Sequence, residues 1–214
     1  MKKHIRIILV SLMTLSLIML AGCGGGSSEQ TEAPDVTEEE TTAVETADPI
    51  GIHHAEIEIR DYGTVSVELD GDTAPVTVQN FMDLAGAGFY DGLTFHRIID
   101  GFMIQGGDPN GDGTGGSGKN IVGEFSANGY ENNIAHTKGV ISMARAQDPD
   151  SASSQFFIMV EDAPHLDGQY AAFGHVTDGQ DVVDKIAADA QPLDDNGTIA
   201  PEDQPVIETV KIID

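Results

Sequence analysis

Tryptophan is absent from this 214-residue sequence, cysteine occurs once, and only 10 residues are lysine or arginine. Each scarcity removes a class of function. A single cysteine forbids an intramolecular disulfide, so apolar packing alone has to hold the fold together. Against 36 acidic side chains the 10 basic ones leave a formal charge of −26. A phosphate backbone is bound by neutralising it with Lys and Arg, so a nucleic-acid partner is excluded. The acidity is read as solubility and self-repulsion rather than as a clue to the activity. Without Trp, the aromatic content rests on 8 Phe and 4 Tyr. Many of them fall between Phe81 and Phe173, where the core of a single domain is expected.

What is present begins with a leader. A basic start, MKKHIR, precedes an apolar run from Ile7 to Leu20 and then Leu20-Ala21-Gly22-Cys23. The run is shorter than the roughly 20 residues of a permanent membrane span, and residues 1–22 are expected to be an export signal. The ending resembles a bacterial lipobox. That resemblance implies cleavage before Cys23 and acylation of its thiol, each buried CH₂ contributing about 0.8 kcal/mol to anchoring. Removal of Lys2, Lys3 and Arg6 would leave 7 basic groups against 36 acidic ones, a formal charge of −29. Residues 23–50 are the modified Cys and a linker; positions 24–49 hold 8 acidic groups, no basic ones and no aromatic. Such a composition cannot offset its ordering entropy and is expected to be a disordered tether. It would reach roughly 90 Å fully extended and on the order of 30 Å as a coil. The expected location is the extracytoplasmic face of a cell membrane, lipid-anchored.

Residues 51–214 are the expected folded domain. Ile57 and Ile59 alternate with Glu56 and Glu58, and Val65, Val67 and Leu69 with Ser66 and Glu68, across the turn Asp61-Tyr62-Gly63. This period of two predicts an antiparallel hairpin. Thr73-Ala74-Pro75 ahead of Val76, Val78, Phe81, Leu84 and Ala85 predicts a capped amphipathic helix with Pro in its first turn. Further strands are expected near residues 93–99, 102–106, 139–144, 156–160, 171–176 and 206–213, and a second helix near 181–188. Short strands in this number with two helices suggest a closed, capped barrel.

The chemistry concentrates in Phe95-His96-Arg97-Ile98-Ile99-Asp100-Gly101-Phe102-Met103-Ile104-Gln105-Gly106-Gly107-Asp108. Period two puts Phe95, Arg97 and Ile99 on one face of the first strand, and His96 and Ile98 on the other. The next strand brings Phe102, Met103 and Gln105 alongside, and Ser154-Gln155-Phe156-Phe157 adds a second aromatic pair: an apolar cleft with one fixed cation. These stretches, with Ile141-Ser142-Met143-Ala144 and Leu166-Asp167-Gly168, resemble the cyclophilin family of peptidyl-prolyl cis/trans isomerases in order and spacing, over about residues 57–213. The resemblance implies a mainly β fold, a closed eight-stranded antiparallel barrel capped by two α-helices. It also implies Arg97 as the catalytic side chain, and Phe102, Met103, Phe157 and Leu166 around the substrate proline ring. Gln105, Ala144 and Gln155 would line the peptide groove, and Phe156 is assigned to the core. His165 stands where many members have Trp, and Tyr170 where those have His; both line the cleft by the same carry-over. That Trp is associated in the family with tight cyclosporin binding, so the resemblance carries over isomerase activity but leaves inhibitor sensitivity open. The implied partners are proline-containing polypeptides, with no cofactor, no metal and a monomeric chain. The alternative is a non-catalytic Pro-peptide-binding module or holdase chaperone.

Other motifs fail on inspection. Gly111 to Gly116 satisfies G-x-G-x-x-G, and Gly113 to Lys119 approaches a phosphate loop, but both need a helix next, and Ile121-Val122-Gly123-Glu124-Phe125 is too short and Gly-broken to supply one. The stretch from Asp108 opens like a calcium loop, yet Lys119 stands where a bidentate Glu is needed. His53-His54 lacks a third ligand at recognisable spacing.

Overall fold

The computed structural model describes residues 50–214; the leader, Cys23 and the acidic tether lie outside the described residues. The hairpin comes first, as strands β1 (Ile52–Ile59) and β2 (Gly63–Asp70) paired from Ile52 opposite Asp70 to Ile59 opposite Gly63. Its turn needs a left-handed backbone at Asp61 (φ 64°) and Gly63 (φ 124°), which Asp tolerates and Gly adopts freely. Ala55, Ile57, Ile59, Val65, Val67 and Leu69 all face the core, as the alternation predicted.

Helix α1 (Pro75–Gly86) comes next and buries Val78, Phe81 and Ala85. Its cap is not local. Thr73 turns back to Asp70, its hydroxyl donating to Oδ2 at 2.8 Å, and Ala74 has no side-chain acceptor to offer. Instead the carboxylate of Glu124 accepts from the backbone N–H groups of Val76 and Thr77, at 3.0 and 2.7 Å, and from the Thr77 hydroxyl at 2.7 Å. The Pro in the first turn is where the sequence puts it; the expected cap is supplied from 47–48 residues away.

The remaining elements are β3 (Thr94–Ile99), β4 (Met103–Asp108), β5 (Val140–Met143), β6 (Phe156–Met159), β7 (Ala172–Asp178), α2 (Gln180–Asp189) and β8 (Ile207–Ile212). They form one eight-stranded sheet, in the order β3-β4-β6-β5-β7-β2-β1-β8, with antiparallel neighbours throughout. The expected mainly β architecture with eight strands and two helices is met. The closure differs in kind: where the sheet's two ends meet, β3 and the chain entering β8 share one isolated bridge, Thr94 opposite Val206, and a few backbone hydrogen bonds. The sheet is curled but open along that seam, because Pro205 interrupts the donors a continuous ladder would use.

Inside the curl, Phe81 of α1 meets Tyr90, Phe156 and Phe173 at centroid distances of 5.2, 5.6 and 5.4 Å. Phe95 packs edge-on against Phe156. A second, smaller apolar cluster lies on the other face of β4, β5 and β6, around Met103, Phe157, Met159 and Leu166. Both faces of β5 and β6 are therefore covered. Phe156 points into the core and Phe157 into the second cluster, as period two requires.

Candidate functional site

The site is built on the outer face of four adjacent strands. Arg97 of β3 pairs with Gln105 of β4, which pairs with Phe157 of β6, which pairs with Ser142 of β5. Cross-strand partners share a face, so cation, amide and aromatic ring form one row. The expectation that Phe95 shares the face of Arg97 is corrected here. The β3–β4 register slips between Phe95 and Arg97, and this bulge at His96 sends Phe95 into the main core with Ile98. A bulge spends one residue without advancing the alternation, and so re-aims the side chains beyond it.

Around the row, Phe102 enters from the turn before β4, and Leu166 from a 3₁₀ turn, Pro164–Leu166. A cavity of about 220 Å³ results, lined by Arg97, Phe102, Met103, Gln105, Ala144, Arg145, Phe157, Leu166 and Tyr170. This is smaller than the ~300–1,000 Å³ of drug-sized sites and suits a single small ring. Eight of the residues singled out in the sequence meet here. Gln155 lines the adjoining cavity of about 460 Å³ together with Gln105, Ala144 and the 113–118 loop. His165 is exposed at the rim, its ring stacked on Phe102 at 5.8 Å; it is not among the residues lining either cavity.

Arg97 is held rather than free. Its Nε donates to the Asn196 carbonyl at 2.8 Å, and its Nη1 to Gln105 Oε1 at 3.2 Å. Gln105 passes the order on: its Nε2 donates to Gln155 Oε1 at 2.9 Å, and Gln155 Nε2 donates to the carbonyls of Gly113 and Gly115. Partial burial lowers the guanidinium's pKa, an effect opposed by Tyr170 and Asp194, and a guanidinium stays charged regardless. Nη2 has no hydrogen-bond partner among the described residues, which leaves a donor pair for a ligand.

A family model described as "Cyclophilin type peptidyl-prolyl cis-trans isomerase/CLD" matches residues 54–213. The chain belongs to that family. Peptidyl-prolyl cis-trans isomerase B of Bacillus subtilis is 49% identical over 121 residues, 56% of this chain and 81% of that protein. A peptidyl-prolyl cis-trans isomerase-like 1 of Rhizopus delemar is 48% identical over 125 residues, 58% of this chain and 74% of that one. Among solved structures, the cyclophilin-type isomerase of Cryptosporidium parvum aligns with a TM-score of 0.67 at 31% identity, covering 76% of this chain and 98% of that one. A second structure of that isomerase, obtained in the presence of the dipeptide Ala-Pro, aligns with a TM-score of 0.66 at 30% identity.

The cyclophilin domain uses residues that sequence reasoning passed over. Asp194 accepts from the N–H groups of Asn196 and Thr198 and from the Thr198 hydroxyl. This closes the turn that presents the Asn196 carbonyl to Arg97. Gly197 in that turn has φ +87°, and a Cβ there would lie 2.6 Å from the Ile98 carbonyl, so only Gly fits. Arg145 is the second omission: a guanidinium three residues past Ser142 that lines both cavities. Its place beside the Ile141–Ala144 block was a signal, but nothing in the spacing marks a side chain as facing a pocket.

The glycine-rich stretch is a loop held by Asp108, whose carboxylate accepts from the N–H groups of Asn110, Asp112 and Gly113. Beyond it come a bridge at Ile121 and a 3₁₀ turn. His53 is engaged by Asp214 at 2.9 Å, and the described residues contain no cluster of three metal-ligating side chains.

Behind the pocket, His136 stacks on Phe157 at 6.0 Å and bridges Asp167 Oδ1 and Ser142 Oγ, both at 3.0 Å. It ties the turn carrying Leu166 to β5. Burial pushes its imidazole pKa down, outweighing Asp167, and burial also lowers that of His96, whose ring nitrogens lack partners among the described residues. Both rings therefore take up a proton less readily when folded than in the unfolded chain, which does so below about pH 6.5. Folding stability should therefore fall as pH drops below that value, and these groups should confer no dependence above it. Denaturant unfolding at pH 7.5 and 5.5 checks this: a lower midpoint at 5.5 is expected, with the gap narrowed in His136→Gln, and an unchanged or raised midpoint refutes it.

Proposed function

We propose that this chain accelerates cis/trans isomerisation of X-Pro bonds, with Arg97 as the catalytic residue, in exported polypeptides refolding at the outer face of a membrane. Rotation about a peptide bond is opposed by C–N double-bond character, a barrier of about 18–20 kcal/mol, and uncatalysed X-Pro isomerisation takes tens to hundreds of seconds. No bond breaks. As the bond twists, conjugation is lost and the prolyl nitrogen's lone pair, delocalised into the carbonyl in both ground states, becomes localised and able to accept a hydrogen bond. A donor aimed at that lone pair binds the transition state selectively. Phe102, Met103, Phe157 and Leu166 would hold the ring while the preceding carbonyl turns, and the apolar walls would strengthen the guanidinium's pull by excluding water.

The observation that carries this reading is the fixed, half-buried Arg97 with its unpartnered Nη2 beside a cavity sized for one ring. Family membership supports the reaction, and the matched blocks support the roles. Exchange NMR or a coupled assay on a short X-Pro peptide tests it. A rate well above the uncatalysed one is expected, whereas binding without acceleration would favour the peptide-binding module or holdase.

Support for the setting is confined to the sequence: the basic and apolar leader, the Leu20-Ala21-Gly22-Cys23 ending and the acidic stretch after it. With residues 1–22 removed and Cys23 acylated, the tether would stand the isomerase domain, residues 51–214, off the bilayer, where unfolded clients emerge. Cys23→Ser is expected to abolish incorporation of a labelled fatty acid and to release the protein from the membrane fraction. Retention with an unmodified serine would refute the anchor.

A further inference from the structure

Arg145 stands out by the company it keeps. In residues 50–214 there are 28 acidic and 7 basic side chains. Arg60, Lys138, Lys185 and Lys211 each have a carboxylate within ion-pair distance; Arg97, Lys119 and Arg145 have none among the described residues. The lining of the two adjoining cavities inverts the surface: it contains no Asp or Glu, and its charged members are Arg97 and Arg145. The carboxylates near Arg145 in sequence are engaged elsewhere. Asp150 accepts from Gly123 N and Asn128 Nδ2, and Asp148 from Asp150 N.

The Arg145 guanidinium is also fixed. Its carbon lies 5.0 Å from the Phe125 ring centroid and 4.8 Å from that of Tyr170. Nε donates to the Gln169 carbonyl at 2.9 Å, and Nη1 to the carbonyls of Ala146 and Gln147 at 2.8 and 3.3 Å. Nη2 is left without a partner among the described residues. A cation pinned by two aromatic faces and three carbonyls loses little side-chain freedom on binding an anion. It sits where the two cavities meet, sharing Gln105 and Ala144 with both.

We propose that Arg145 forms a subsite for a carboxylate side chain, so that the enzyme favours polypeptides bearing Asp or Glu within two residues of the isomerising proline. The inference rests on the reading that the proline ring occupies the smaller cavity; the flanking residue then lies in the larger one, against Arg145. The acidic surface elsewhere repels such a peptide only weakly at physiological salt, where charges beyond about 8 Å are screened. Contact with a half-buried guanidinium decides the preference.

The test uses peptides identical except for Glu, Gln or Lys at each of the two positions on either side of Pro, assayed for kcat/KM. At one of these positions wild type should favour Glu over Gln about fivefold at physiological ionic strength, the upper range for a partly exposed ion pair. The ratio should fall toward one at about 0.5 M salt. Arg145→Gln should bring the ratio to about one, and Arg145→Lys should keep part of it. Because each ratio is taken within one protein, a general loss of rate cancels, and the wild-type salt response needs no variant. A wild-type Glu:Gln ratio of one or less at every position, or a ratio unchanged in Arg145→Gln, overturns the subsite while leaving the isomerase intact. Failure to accelerate any peptide overturns the isomerase reading and the subsite with it.

Discussion

Replacing Arg97 by alanine is expected to lower kcat/KM for an X-Pro peptide about a hundredfold, mainly through kcat. A hydrogen bond to a charged group contributes roughly 1.5–3 kcal/mol, or about 10- to 150-fold, and a site walled by Phe102, Met103 and Phe157 belongs toward the upper end. The effect falls on kcat because the prolyl lone pair is localised only in the twisted state; substrate binding, dominated by the apolar pocket, changes little. Arg97→Lys should not restore the rate. Lysine has no Nε to hold the Asn196 carbonyl and no fork to reach Gln105 and the substrate together. Exchange NMR on wild type and both variants, with spectra confirming the fold, checks this. Equal rates for wild type and Arg97→Ala would remove Arg97 from the chemistry.

The same residue shows how far the sequence could be read. The hairpin of β1 and β2 was legible because its alternation is unbroken and each apolar residue meets one core. On β3 the alternation rule failed at Phe95, since a bulge at His96 is a response to the neighbouring strand and leaves no trace in residue type. The pocket residues were placed by matched blocks, not by periodicity. Phe102, Phe157 and Leu166 are apolar residues like those of the core, and only the fold distinguishes the second cluster from the first. His165 was expected in the cleft and stacks at its rim instead, where a smaller ring in place of Trp covers Phe102 from outside. Arg145 and the Asp194–Thr198 turn escaped because what makes them matter is which carboxylates and carbonyls surround them, a property of tertiary contacts. Glu124 escaped for the same reason, with the larger consequence for stability.

Glu124→Ala is expected to destabilise the domain by about 3 kcal/mol and to lower Tm by roughly 10 °C. The side chain is buried, the residue being only 2% exposed, and it accepts three hydrogen bonds at the start of α1. Two of the donors are first-turn N–H groups with no intrahelical acceptor. A carboxylate there also opposes the positive end of the helix dipole. Alanine would leave two amides and the Thr77 hydroxyl buried without partners, at about 1–3 kcal/mol each before relaxation or entering water offsets part of the cost. Thr73→Ala, the substitution that a local cap would make costly, removes only a hydroxyl bonded to Asp70 and should cost less than about 1 kcal/mol. Glu124→Gln should fall between, since its amide keeps one acceptor but turns a donor toward other donors. Chemical denaturation of the three variants gives the order, and a loss in Glu124→Ala no greater than in Thr73→Ala would overturn the assignment. Well below the melting temperature, kcat/KM of Glu124→Ala should stay near the wild-type value. The helix it caps packs Phe81 on Phe156, on the face of β6 opposite Phe157, so the cap sets how long the pocket persists rather than how fast it works.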